Sequence, residues 1–568
     1  MQILRINMAS LTYAYETVPD AELLLGGRAF TSKIVAEEVP PTAHPLGPNN
    51  KLVLSNGVLT GSLASSAERS SMGAKSPLTG GIKESNAGGT AGLHMGRLGL
   101  RAVIFEGIRD DFQIVHIHKD GVRFEAADEL LGEPISVAKE KLFETYGDQV
   151  SFYVIGTAGE MKMLSAAIAN LDKDKSPTRF YGRGGLGAVA GSKGIKAVVF
   201  DDRGAARHKP KDRDRFRAAL KTDSTYLRAT PGTGKTMPEL GTAAMVKTTN
   251  KLGALPTRNF STGSFEGHES ISGEVLRETI LERGGEGNPT HACMPGCMIR
   301  CSNIYADRDG KKITSPIEYE NIGLLGSNLG IADLDQVVEL NRLCNEYGVD
   351  TIETGAAIGV AMEAGVLSFG DFEGAKELLE GLGQGTPLGR IIGSGAVNVG
   401  KIYGVRKVPA VKGQAMSAYD PRAIKGLGVT FSTSPQGADH TAGQTIRVQI
   451  DHHQADGQVE TSRQAQITNA VFDMLGICYF GAQAVQGRYD LLADLVSGYV
   501  GVEFTADDIV KLAKQTLLTE VDFNRRAGFT KADDRLPEHI LMEENPASKT
   551  KFDIPEEELD SFWDELVV

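Results

Sequence analysis

The chain has 568 residues, with 60 Lys and Arg against 73 Asp and Glu for a formal charge of −13, and it is 41% hydrophobic and 23% charged. Such a length implies about three or four domains and enough volume to enclose a large cofactor. The acidic balance excludes a phosphate backbone as the expected partner, because nucleic-acid affinity rests on Lys and Arg displacing counterions, and the apolar content is that of a folded globular protein.

In chain order, the opening MQILRINMASLTYAYE reads as a strand or hairpin. It has no basic start, apolar run and small-residue cleavage site, so a cytoplasmic protein is expected. Short β-rich runs follow at Lys51–Leu54, Ala102–Phe105, Phe152–Ile155 and Ile195–Phe200, and predict a mostly β domain over residues 1–205. Glycine is in excess, 67 residues of 568, against a usual ~7%. It concentrates in Gly80–Gly92 and Gly182–Gly194, which predicts that something bound lies close to the backbone of the N-terminal third.

Past the charged stretch Asp201–Arg217, helical periodicity over Leu334–Tyr347 and Gly355–Gly365 predicts a helical domain at 206–410. A loop-rich passage to Gly443 and helical runs at Glu460–Leu475, Ala482–Tyr499 and Ala506–Ala527 predict a third domain at 411–568, with an acidic, surface-docked helix after Pro546. The expected class is therefore α+β, a mostly β N-terminal domain followed by two mainly helical ones. The longest apolar run, Ile358–Val366, is broken by Glu363 and falls short of the ~18–20 residues a membrane helix needs.

Three of the five cysteines, Cys293, Cys297 and Cys301, fall within nine residues in HACMPGCMIRC. Pro295 and Gly296 break any helix between the first two, so a loop wrapping a metal group fits better than three packed thiols. A four-iron cluster normally takes four thiolates, and Cys344 and Cys478 are the candidates for the fourth. Structural zinc usually shows two close-spaced cysteine pairs, which are absent. A radical enzyme would need a βα alternation that the chain lacks.

HACMPGCMIRC, DTIETG at Asp350–Gly355 and DMLGIC at Asp473–Cys478 together resemble the tungsten-containing aldehyde:ferredoxin oxidoreductases. GGRAFTSKIV, GVLTGSLASSAERSSMGAKSPLTGG, SNAGG and GRGGLGAVAGSKGIKAV look like that family's pterin-binding β domain. The resemblance covers nearly the whole chain. It implies tungsten, or molybdenum, held by the dithiolenes of two pyranopterins and by no side chain, with each Asp-led hexapeptide embracing one pterin.

Asp350, Thr354, Asp473 and Ile477 then belong to the cofactor contacts, the aspartates as acceptors for pterin N–H groups; on spacing alone each aspartate reads equally well as a helix N-cap. Cys478 stands where the first hexapeptide has Gly355, which makes it the fourth cluster ligand and leaves Cys344 a packed thiol. For the pterin phosphates the resemblance implies Arg69, Asn86, Gly88, Arg183 and Gly184, with a bridging Mg2+. Read alone, Arg69 is a solvated charge and RGGLG a tight turn.

The resemblance further implies aldehyde oxidation to the acid, with electrons leaving through one [4Fe-4S] cluster to ferredoxin or a ferredoxin-like subunit. Glu320 in PIEYENIG is the expected general base, with Glu318 as fallback, and His440 in PQGADHTAG the expected donor to the bound oxygen. Without the family, Glu320 reads as a helix-surface residue and His440 as a loop histidine; His452 and His453 are expected in an exposed loop. Two features depart from the family: the first cysteine gap is three residues where archaeal members commonly have two, and no Glu stands three positions before a His, so an E-x-x-H iron site between subunits is not expected. The rival readings are reduction of an acid or aromatic acyl-thioester with the same cofactor, and a non-catalytic electron-transfer subunit.

Overall fold

In a computed structural model, residues 1–62, 64–205 and 209–566 are described. The first 200 residues form two mixed six-stranded sheets. One runs β2-β1-β6-β3-β4-β5, built from Gln2–Asn7, Thr12–Thr17, Leu52–Asn56, Ser70–Lys75, Ile82–Ala87 and Leu100–Glu106 as β1 to β6. The other runs β11-β10-β9-β12-β7-β8, built from Gln113–His118, Gly121–Ala126, Ser151–Ile155, Ile168–Asn170, Arg179–Tyr181 and Ile195–Asp201 as β7 to β12. The opening segment is the expected hairpin, β1 against β2, and the four expected strands lie in or overlap β3, β6, β9 and β12.

Side chains alternate across a strand, and here both faces of each sheet are covered over the central strands, while the edge strand β2 is exposed. Leu4, Leu54 and Val103 of the first sheet meet Val115, Ile155 and Val198 of the second in one core. The outer face of the first sheet packs on Phe30, Ile34 and Val35 of the helix Gly27–Glu38 and on Phe523. Ala138 and Leu142 of the helix Ile135–Tyr146 cover the second.

The rest of the described chain is mainly helical. Leu334–Tyr347 is a helix as expected. The expected helix at 355 starts earlier, at Thr351, because Asp350 caps it by accepting from the backbone N–H groups of Ile352 and Glu353, both at 3.1 Å. The run expected over 482–499 is two helices, Tyr479–Val485 and Tyr489–Val500, parted at Gly487 with φ +76°. After Pro546 the helix is a single short turn, Glu556–Asp560; buried Phe552, Phe562 and Trp563 dock the tail, and the Trp563 indole N–H donates to the Thr433 carbonyl at 3.0 Å. Among the described residues, no helix is long and apolar enough to cross a membrane.

A buried ion pair ties the β sheets to the C-terminal helices. Arg28 donates to both carboxylate oxygens of Glu520 at 2.8 and 2.7 Å, Ser32 donates to the same group at 2.7 Å, and both partners of the pair are essentially without solvent contact. Removing one member of such a pair leaves the other buried and uncompensated, so Glu520→Ala is expected to cost ~3–5 kcal/mol and to lower the denaturation midpoint. The double variant Arg28→Met, Glu520→Leu should lose less than Glu520→Ala, and an equal or larger loss would show that the pair is not the source.

Candidate active site

Helices and sheets enclose a cavity with about 1930 Å³ of empty space, its mouth included. Its walls come from distant parts of the chain: Arg69 beside β4, the end of β5, Arg179–Arg183, the cysteine loop, Glu318–Asn321, Asp350, Asp439–Thr441, and Asp473 with Cys478.

Backbone hydrogen bonds fix the two hexapeptides against the sheets. Val58 and Leu59 donate to the Met474 and Leu475 carbonyls at 3.1 and 3.0 Å, Arg69 to Gly476 at 3.1 Å, and Cys478 to Ser66 at 2.7 Å. Gly476 sits at φ +79°, and a Cβ on Gly57 would lie 2.2 Å from the Gly476 backbone, so glycine is required on both sides of this approach. At the other hexapeptide, Asp350 donates from its backbone to Ser165 at 2.9 Å. The two aspartates nevertheless differ. Asp350 is an N-cap, whereas Asp473 lies in the last turn of the helix Gln458–Leu475 and cannot be one.

The four cysteines of the two motifs lie near one another. Burial, followed by the proximity of Cys293, Cys478, Glu318 and Cys297, raises the Cys301 thiol well above its ordinary range, and burial pushes Cys293 up to about 12. Cys293, Cys301 and Cys478 line the cavity, while Cys297 is set back with its sulfur 3.6 Å from the Ser66 hydroxyl. A Cβ on Gly88 would come 2.8 Å from Met294 and 3.3 Å from the Cys293 sulfur, so the glycine admits the cysteine loop. Among the described residues, no three His, Cys, Asp or Glu side chains converge closely enough for one metal ion. Cys344 is fully buried in the core of the helix Leu334–Tyr347, where burial raises its thiol.

Arg69 is not a solvated charge. It donates to the Asn86 backbone carbonyl at 2.8 Å and to the Asn86 side chain. Burial opposes its charge, but Cys478, Cys293 and Asp473 hold its pKa above the ordinary value. Arg183 donates to the carbonyls of Ala438, at 2.6 Å, and Ala415, and reaches Asp350 at 3.4 Å. Gly184 faces away from the cavity, at φ +84°, where a Cβ would strike the Lys83 side chain at 2.4 Å. Thr354 and Ile477 are buried behind the wall, Thr354 with a hydroxyl that has no hydrogen-bond partner.

Glu320 and His440 also line the cavity and meet there, with His440 Nε2 3.5 Å from Glu320 Oε1. The other Glu320 oxygen accepts from the Ala418 backbone at 2.8 Å, while Oε1 is buried without a hydrogen bond. Burial raises the Glu320 carboxyl above the usual range, with His440 pulling the other way. Glu318 is instead the N-cap of Tyr319–Leu325, in a reciprocal capping box with Asn321. His452 and His453 are half-buried rather than exposed, their rings 3.1 and 3.0 Å from the carbonyls of Ile446 and Leu252.

Three site residues escaped the sequence reading. Glu84 lines the cavity with a buried, unpartnered carboxylate oxygen; burial and then Asp473 raise its pKa, and burial raises Asp473 as well. Lys83 reaches Asp439 at 2.7 Å; burial opposes that carboxylate's charge, yet Lys83 and Arg183 hold it well below the usual range. The available signal was a Lys-Glu pair inside a strand between glycine runs. A second cavity, about 1190 Å³ of empty space, shares Gln444, Arg447, Asn469, Phe472 and Tyr479 with the first, and Asn469 donates to the Thr441 carbonyl at 2.7 Å.

Thiols and a carboxylate–imidazole pair lining one cavity suit an oxidoreductase, which must handle both electrons and protons. The chain belongs to the aldehyde ferredoxin oxidoreductase family: residues 3–202 match its N-terminal domain and residues 218–566 its domains 2 and 3. It is 32% identical, over 97% of this chain and 93% of the relative, to the tungsten-containing aldehyde ferredoxin oxidoreductase of Pyrococcus horikoshii. It is 26% identical over 73% of its length, and 70% of the relative, to the WOR-like subunit of an aliphatic sulfonate oxidoreductase from Pyrococcus furiosus. Its fold is that of the active site complex BamBC of benzoyl coenzyme A reductase, with a TM-score of 0.82 over 99% of this chain and 93% of that one, at 18% identity.

Proposed function

We propose that this chain oxidises an aldehyde to the carboxylic acid at a tungsten or molybdenum centre held by two pyranopterins, and that electrons leave through a [4Fe-4S] cluster on Cys293, Cys297, Cys301 and Cys478. One observation carries the reading: a single cavity is lined both by Cys293, Cys301 and Cys478 and by Glu320 with His440. The donor set suits the cofactor. Asp473 and the unpartnered Glu84 oxygen offer acceptors to ring N–H groups, and Arg69 offers positive charge to phosphate. Asp350 keeps acceptor capacity beyond the two helix N–H groups it caps, and Arg183 orients it. When bound, the metal and pterins supply the two-electron step and the cluster a one-electron exit.

The protein's part is proton handling and orientation. Glu320, held by the Ala418 N–H, takes a proton from the hydrated substrate, and His440 donates to its oxygen. A reducing cytoplasm would keep all five cysteines available as thiols.

The test is metal analysis of anaerobically purified protein together with an aldehyde panel and a viologen dye. Tungsten or molybdenum with about four iron atoms per chain, and aldehyde-dependent dye reduction, are expected. Zinc in place of iron, or no dye reduction by metal-replete protein, would overturn the reading.

A further inference from the structure

Each six-stranded sheet has two edge strands, and three of those edges are closed or charged. β5 lies buried against the helix Ala506–Arg526. β11 is three residues long, with Arg179 and Tyr181 buried, and β8 carries the charges of Arg123 and Glu125. β2 has none of these protections. Its six residues, TYAYET, are all exposed, Tyr13 at 42% and Tyr15 at 40%. It pairs with β1 without a bulge and contains no proline or lysine, the devices by which natural edges resist strand addition. Its one charge, Glu16, is already paired with Arg5 at 2.7 Å.

The pairing with β1 decides which backbone groups of β2 face outward. The register runs unbroken from Gln2 opposite Thr17 to Asn7 opposite Thr12, and just beyond it the Val18 N–H donates to the Met1 carbonyl at 3.1 Å. In an antiparallel ladder, hydrogen-bonded and non-hydrogen-bonded pairs alternate. Thr12, Ala14 and Glu16 therefore bond to β1, and the N–H and C=O groups of Tyr13, Tyr15 and Thr17 point away from it. Outward donors and acceptors beside an exposed aromatic pair, its rings 5.8 Å apart and edge to face, make a template for one more strand. The side chains favour the strand's own copy, because self-pairing repeats every contact on both sides of a two-fold axis. With Ala14 opposite Ala14, Tyr13 of each copy meets Tyr15 of the other as a hydrogen-bonded pair, and cross-strand aromatic pairs are stabilising. Thr12 then faces Glu16, so the two Glu16 carboxylates stay apart, and the small Ala14 side chains sit where the backbones approach most closely.

We propose that β2 pairs antiparallel with β2 of a second copy of this chain, about a two-fold axis at Ala14, so that the first sheets of the two copies become one continuous sheet. The contact closes the bare edge in both copies at once. β2 is the edge opposite β5, whose end lines the cavity, so pairing there leaves the candidate active site open.

The test is sedimentation of the full, metal-replete protein beside the double variant Tyr13→Lys, Tyr15→Lys. Expected is a parent at twice the chain mass of 60.6 kDa and a rise of about 10-fold or more in the dimer Kd of the variant, where lysines would face lysines. Its circular dichroism should match that of the parent, since both tyrosines are exposed. A second variant reads the register. Ala14→Cys places its Cα about 4.5 Å from that of its copy, within reach of a disulfide, so mild oxidation with diamide should give a covalent dimer that neither the parent nor Glu16→Cys forms. A parent that is monomeric at every concentration, or a dimer that survives both lysines, would overturn the proposal. Cross-linking at Glu16→Cys and not at Ala14→Cys would reject it as well. So would the loss from the lysine variant of a different protein that copurifies with the parent, which would name another occupant of the edge.

Discussion

Glu320→Gln is expected to keep the metal and iron content of the parent and to lower kcat by about 10²–10⁴-fold, the usual worth of a positioned general base. The substitution preserves the side chain's shape and its acceptor for the Ala418 N–H, but it removes the oxygen that faces His440 and cannot accept the substrate's proton. A pH profile gives the second readout. Burial raises this carboxyl, so the acid limb of activity should lie above the ordinary glutamate range and disappear in the variant. The sign for stability is opposite to that for activity. The folded state holds the proton more tightly than the unfolded chain, so ionising Glu320 costs stability as pH rises from the unfolded value through the raised one. Glu320→Gln should therefore not lower the denaturation midpoint at neutral pH, which separates lost chemistry from lost structure. Glu318→Gln should retain turnover, and it keeps a side-chain acceptor for the start of the helix. If kcat survives in Glu320→Gln, the proton goes to Glu318 or to a water.

The strand runs and the long helix at Leu334 were legible because period and residue type agree there with the final structure. The pairing of the two sheets was not, since a strand buried on both faces carries no alternation to read. The two hexapeptides show the limit more sharply. Their sequences look equivalent, yet DTIETG opens a helix and DMLGIC closes one. Gly355 is a glycine because a Cβ would lie 2.7 Å from the Leu324 carbonyl, within a helix that continues past it, whereas Gly476 is one because the chain turns there at positive φ. Spacing cannot tell a packing glycine from a turning one. Lys83 and Glu84 were missed for a related reason: their partners, Asp439 and Asp473, lie more than 350 residues away.

Replacing Cys478 should be far more damaging than replacing Cys344, although Cys344 is the more deeply buried of the two. Cys478→Ala is expected to drop iron from about four atoms per chain to three or fewer, to change or abolish the cluster's electron paramagnetic signal, and to cut viologen-linked turnover by about two orders of magnitude or more, because each electron must pass that way. The expectation rests on how little freedom position 478 has. Its N–H is fixed to Ser66, the preceding turn is pinned through Gly476 to Gly57 and Arg69, and its sulfur senses both Cys297 and Arg69. No neighbouring thiol can move in to replace it, since Cys344 sits inside the helical core. Cys344→Ala should keep iron, signal and turnover, with a destabilisation of about 1–2 kcal/mol for the small void. A Cys344 variant that lost iron while Cys478→Ala kept it would reverse the ligand assignment, and with it the placement of the cluster beside Asp473.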